Sequence, residues 1–198
     1  MDVITFARCN GRTANVTIFP MSAMERLLDE LDATRERLLV ALESLPDEAL
    51  LQPGLAEGWS MADVLMNLTL WESELVTALM QIDQGKKPGG LLAALAEPAK
   101  YNQARFAEFK GRALDAVFDD WMKVRLELEE WLEMLPDEQL TDKKRYSWLK
   151  GRSLADLIAQ TTYENERRYL PEIERFAQAW ETAERDTIPL TAVNINNL

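Results

Sequence analysis

Three polar side chains occupy places where helical spacing otherwise puts apolar ones. From Ser153 onward, Leu154, Leu157, Ile158 and Thr161 share one inward stripe, which then presents Asn165 and Tyr169, flanked by Glu164 and Arg168. In an earlier stretch, Asn67 lies beside the stripe Val64, Leu68, Trp71, Leu75, Leu79 and Ile82. A phenol such as Tyr169 can give a proton, Asn67 or Asn165 can orient a substrate, and Glu72 or Glu164 can act as base. The same residues admit two quieter readings. Asn67, Trp71, Thr161, Asn165 and Tyr169 could line a pocket for a small organic molecule, or the amides and phenol could simply satisfy one another in the core.

The chain contains no histidine among its 198 residues. A Ser-His-Asp triad and a histidine-based zinc site are therefore excluded. Glu72, Glu164 and Glu166 offer oxygen ligands better suited to magnesium or calcium, but acids spaced along the helices of an acidic protein are ordinarily solvated. The expectation is no metal and no cofactor. With 34 acidic and 22 basic residues the net charge is −12, which repels a phosphate backbone and argues against a nucleic-acid partner. No apolar run approaches the roughly 20 residues of a membrane span, and no signal-peptide pattern opens the chain. A lone cysteine, Cys9, allows no internal disulfide and fits a reducing compartment. These features predict a cytoplasmic protein away from membranes, with a small-molecule ligand or a second copy in a homodimer as the partners left open.

The elements that must position these side chains come as a repeat. Gly58 to Glu72, GWSMADVLMNLTLWE, is echoed from Gly151 to Tyr169, GRSLADLIAQTTYENERRY, and each follows a Leu-Pro-Asp-Glu turn, at 45–48 and 135–138. Ser22, Ser60 and Ser153 are each followed three residues later by an acid, Glu25, Asp63 and Asp156, the signature of a capped helix start. The first helix carries Leu28, Leu31, Leu38, Leu42 and Leu45 inward, with Asp29, Glu30, Arg35, Glu36 and Arg37 read as its solvated face. The third, from about 113 to 135, buries Leu114, Val117, Phe118, Trp121, Leu128, Leu132 and Leu135. Between the pairs lie a glycine-rich loop at 85–90 and a less regular helical segment at 98–110. The basic, aromatic linker 141–150 is expected to cover one end, and Pro171 to kink the last helix or start another. Residues 1–20 break the helical pattern and read as a separate arm, 21–185 as the bundle, and 186–198 as a tail. The predicted fold is all-α, an up-and-down four-helix bundle with an internal two-fold repeat of helix pairs.

GWSMADVLMNLTLWE, the two Leu-Pro-Asp-Glu turns and LADLIAQTTYENERRYLPEI together resemble the DinB-like four-helix bundle superfamily, nearest the branch that includes the colibactin self-resistance protein. In the metal-binding members, a histidine on the second helix and a His-x-x-x-His pair on the fourth converge on one divalent ion. The resemblance places Asn67, Asn165 and Tyr169 at those positions, so it implies the family fold without the family metal. Members of the self-resistance branch also lack the triad, and some act on a strained electrophilic small molecule. This chain has Asn67 where that branch can carry tyrosine. The resemblance implies a protein that binds a small, apolar or electrophilic molecule in a protective role, with a metal-independent hydrolase or transferase and an inert structural or dimerisation protein as the alternatives.

Overall fold

The computed structural model describes residues 21–55 and 58–187. The expected arm 1–20, with Cys9, and residues 188–198 of the expected tail lie outside them. Every regular element among the described residues is helical: α1 (Ala23–Glu43), α2 (Asp47–Leu51), α3 (Met61–Asp83), α4 (Gly89–Ala96), α5 (Pro98–Phe109), α6 (Leu114–Glu133), α7 (Asp137–Thr141), α8 (Leu154–Thr161) and α9 (Tyr163–Thr187), with a 3₁₀ turn at Ser147–Leu149. Four long segments, α1, α3, α6 and the α8–α9 run, form the bundle. The two short Pro-Asp-Glu helices, α2 and α7, turn the chain within each pair.

All three serine starts form complete capping boxes. Ser22, Ser60 and Ser153 each accept from the backbone N–H of Glu25, Asp63 and Asp156, whose carboxylates accept in return from the serine N–H. Gly58 and Gly151, two residues ahead of their caps, have φ of 75° and 86°, a left-handed backbone that glycine adopts without strain. The repeated Gly-x-Ser is thus a turn followed by a cap. The Asp137 carboxylate of the second Leu-Pro-Asp-Glu accepts from the N–H groups of Ala23 and Met24 at 2.7 and 3.1 Å, tying α7 to the start of α1.

Each helix pair is up-and-down, as short connections require. The long connection through α4 and α5 then sets the second pair beside the first in reversed order. Ion pairs Glu30–Arg167 and Arg37–Glu174 climb α1 and α9 in the same direction, so these two run parallel. The core tells the same of α3 and α6: Leu65, Leu68, Val117 and Trp121 share one apolar cluster, while Leu75, Leu79, Leu128 and Leu132 share the other. Parallel neighbours need a crossover, and α4–α5 supplies it.

Local details differ from expectation in three places. Gly89 and Gly90, read as loop, begin α4, because the following Leu91 and Ala94 bury against the core. Pro171 lies inside α9, which continues past it to Thr187, so of the two outcomes expected there no new helix starts; Leu170 and Ile173 on either side are buried at 1% and 0% exposure, and this packing offsets the lost hydrogen bond. The break falls instead at Thr162, whose φ of −118° and ψ of −109° leave the helical region. Thr161 and Thr162 both turn their hydroxyls onto preceding carbonyls there, competing with the regular ladder.

Candidate functional site

The middle of the core is charged. Arg35 of α1, Glu72 of α3, Arg125 of α6 and Glu166 of α9 meet there, all buried, with Glu166 at 0% and Glu72 at 1% exposure. Arg35 lies 3.1 Å from Glu72 and 3.0 Å from Glu166; Arg125 pairs with Glu72 and lies 2.9 Å from Glu166. Arg125 also donates to the Leu31 carbonyl at 3.4 Å, and the Arg35 guanidinium stacks 3.9 Å over Trp121. This quartet separates the two apolar clusters. Burial pushes the Glu166 carboxyl above the usual carboxylate range, against the opposing pull of Arg125 and Arg35. The same burial lowers the Arg35 guanidinium, although Glu72 and Glu166 hold it charged.

Arg35 therefore does not belong to the solvated face of α1, and Glu72 and Glu166 are not solvated acids. The signal lay in spacing. Arg35 stands four after Leu31 and three before Leu38, and Arg125 four after Trp121 and three before Leu128, so both occupy stripe positions. It lay also in the repeat: each arginine precedes its Leu-Pro-Asp-Glu turn by the same interval, 35 to 45 and 125 to 135. Glu72 follows Ser60, and Glu166 follows Ser153, at intervals differing by one residue, the residue absorbed by the break at Thr162.

A second polar cluster lies toward α5. Tyr169 donates to Asn67 Oδ1 at 3.3 Å. Asn67 Nδ2 and Trp71 Nε1 both donate to Asn102 Oδ1 of α5, at 3.1 and 2.9 Å. Trp59 stacks on Tyr169, with ring centroids 6.5 Å apart, and on Phe106 of α5, at 5.4 Å and 2° between planes. Asn67, Trp59, Met66 and Leu70 thus form one side of a cleft, and Arg105, Phe106, Phe109 and Lys110 the other. The free space, about 10 Å³, holds no more than one water. Yet α5 has no buried residue and contributes its side chains from the outside.

Of the residues singled out from sequence, Asn67 and Tyr169 are in direct contact, and Trp71 joins them through Asn102. Thr161 is buried and spends its hydroxyl on the Leu157 and Ile158 carbonyls. Asn165 is buried, and among the described residues its Nδ2 has no hydrogen-bond partner. Glu72, considered as a base, is instead clamped by two guanidiniums in the quartet. Glu164, the other candidate, is exposed on α9. Asn102 and Phe106 went unrecognised because α5 stands outside the repeat and shows no strong apolar stripe.

The donor set does not fit the divalent ion of the metal-binding bundles. Both polar atoms of Asn67 are engaged with Asn102 and Tyr169, and Asn165 offers a buried N–H donor, which a cation would meet unfavourably. No group of three or more His, Cys, Asp or Glu side chains suited to a metal occurs among the described residues. No described helix is long and apolar enough to cross a membrane.

The DinB superfamily profile matches residues 11–170. Two solved structures share the fold. An uncharacterised protein from Escherichia coli UTI89 superposes with a TM-score of 0.66 at 17% identity, covering 82% of this chain and 96% of that one. The structure titled sibling lethal factor precursor DfsB gives a TM-score of 0.65 at 16% identity, covering 84% of this chain and 99% of that one. No curated protein matches the chain.

Proposed function

Because the chain belongs to the DinB superfamily, with two carboxamides and a phenol at the positions that metal-binding members fill with imidazoles, we propose that it binds a small, apolar or electrophilic molecule at the Asn67–Tyr169 site without a transition metal. The observation that carries this reading is the cleft between α3 and α5. Trp59, Met66, Leu70, Phe106 and Phe109 give it an aromatic and apolar lining, Asn67, which accepts from Tyr169, adds a carboxamide, and one wall is a helix with no buried residue. The small resting volume requires that wall to shift outward when a ligand enters, and a helix that buries no residue fully is the element suited to do so. The sequence resemblance to the self-resistance branch supports a protective role, in which the molecule is sequestered.

Binding is favoured over a metal-independent hydrolase or transferase by the placement of the two carboxylates weighed as bases: Glu72 is committed to Arg35 and Arg125, and Glu164 is exposed. An inert bundle is the second reading, supported by the full pairing of Asn67 and by the lack of space. Thermal-shift screening of the purified protein with apolar and electrophilic small molecules, followed by mass spectrometry of any hit, distinguishes the three. Saturating a ligand to 100 times its Kd stabilises by about 2.7 kcal/mol. The expected result is a melting-temperature rise that Asn67→Ala or Tyr169→Phe abolishes, with the molecule recovered intact. Recovery of a hydrolysed or transferred product would point to the enzyme, and a panel without any hit to the inert bundle.

A further inference from the structure

Resting on that reading, we infer that the cleft's ligand class is a planar aromatic acid. Two independent features of the cleft carry this. The first is the stack of Phe106 on Trp59, whose planes lie within 2° of each other. Trp59 is itself buried, held by Tyr169 on the bundle side, whereas Phe106 is half-buried on a helix that buries nothing fully. A flat ring that enters as α5 moves out replaces Phe106 on a surface already oriented for stacking.

The second feature is the charge at the mouth. The chain as a whole is strongly acidic, yet the α5 side of this cleft ends in Arg105 and Lys110. Arg105 is shared between Glu74 and Glu108. Lys110 is exposed, lies 5.3 Å from the Phe106 ring centroid and forms no ion pair among the described residues. The one acid lining the cleft, Asp63, is spent on Ser60: its carboxylate accepts from both the Ser60 N–H and the Ser60 hydroxyl in the cap of α3. A carboxylate carried by the stacked ring therefore meets an ammonium that no described carboxylate pairs with, while a cationic ring would meet like charge.

The test uses the full chain with 1-naphthoate and its neutral isostere 1-naphthamide, titrated by calorimetry at low salt. Wild type is expected to bind naphthoate at least several-fold more tightly than naphthamide. Lys110→Gln should weaken naphthoate by about 1.5- to 5-fold and leave naphthamide unchanged. Phe106→Ala should tighten both, since it vacates the stacking place; Phe106→Leu serves the same purpose if the alanine variant fails a circular-dichroism check of folding. Equal binding of the two probes, unaffected by Lys110→Gln, would overturn the acid preference and leave the apolar site standing. Absence of binding to wild type and to a folded Phe106 variant would overturn both the preference and the site.

Discussion

At the scale of the residue, the decisive fact is that four charges are buried where leucines would fit. A buried ion pair gains little net stability, because desolvation offsets attraction, but removing one partner leaves an uncompensated charge. Arg125 faces Glu72 and Glu166 and also donates to the Leu31 carbonyl. Arg125→Met should therefore destabilise the fold by about 3–5 kcal/mol in urea unfolding. The quadruple variant Arg35→Met, Glu72→Leu, Arg125→Met, Glu166→Leu should be less damaging than that single change. A single variant within about 1 kcal/mol of wild type would mean the quartet is not energetically coupled. Sequence reading handled these residues unevenly for a physical reason. Apolar periodicity identifies Leu31, Trp121 and Leu75 because burial alone rewards them. A charge on the same stripe is indistinguishable from a solvated one until its partners, one of them on the other pair of the repeat, are brought to it. Asn67 and Tyr169 were legible as polar interruptions of a stripe, but Asn102, whose carbonyl oxygen fixes the Asn67 amide, was not.

At the scale of the element, what local chemistry decides was legible and what tertiary packing decides was not. The capping boxes at Ser22, Ser60 and Ser153 involve residues three apart, so four letters suffice to recognise them. The direction of α6 against α3 depends on the route of α4 and α5 across the bundle, and no short motif encodes it. Helix α5 is attached by polar side chains: Asn102 to Asn67 and Trp71, Arg105 to Glu74, and the Tyr101 hydroxyl to the Leu70 carbonyl at 3.4 Å. Burial, reinforced by Glu74, pushes the Tyr101 phenol up to about 12 from its ordinary 10.0. Between those values the folded chain keeps a proton that the unfolded chain has lost. The stability Tyr101 contributes is therefore complete below pH 10 and declines as the pH rises towards 12. Tyr101→Phe should remove this part of the alkaline loss, seen as a shallower fall of melting temperature than in wild type. Identical alkaline profiles would mean that Tyr101 does not hold α5 in place.

At the scale of the whole molecule, the repeat produces a two-fold arrangement in which each helix pair supplies one arginine and one glutamate, so the centre is electrically balanced inside a chain of net charge −12. That chain has no histidine, and the usual source of pH dependence between 5 and 8 is missing. Carboxyls displaced upward are the groups among the described residues that can supply a slope in this range. Two among the described residues are Glu166 and Glu129, the latter raised first by burial and then by Asp32, against the opposing effects of Arg125 and Arg35. A carboxyl raised in the folded state binds a proton more readily folded than unfolded. Its contribution is thus fully present below the ordinary carboxylate value and is lost as pH rises through the raised one. Mutual repulsion of the remaining acids acts in the same direction, being weakest when some of them are protonated. The melting temperature should accordingly fall, or stay level, from pH 5 to pH 8, and added salt should reduce the fall by screening the surface acids while leaving the buried quartet's share. Glu129→Gln, which breaks none of the quartet's ion pairs, should flatten part of the slope. A protein that became more stable from pH 5 to pH 8 would contradict the upward displacement of both carboxyls, and with it the view that the central charges are held in a dry core.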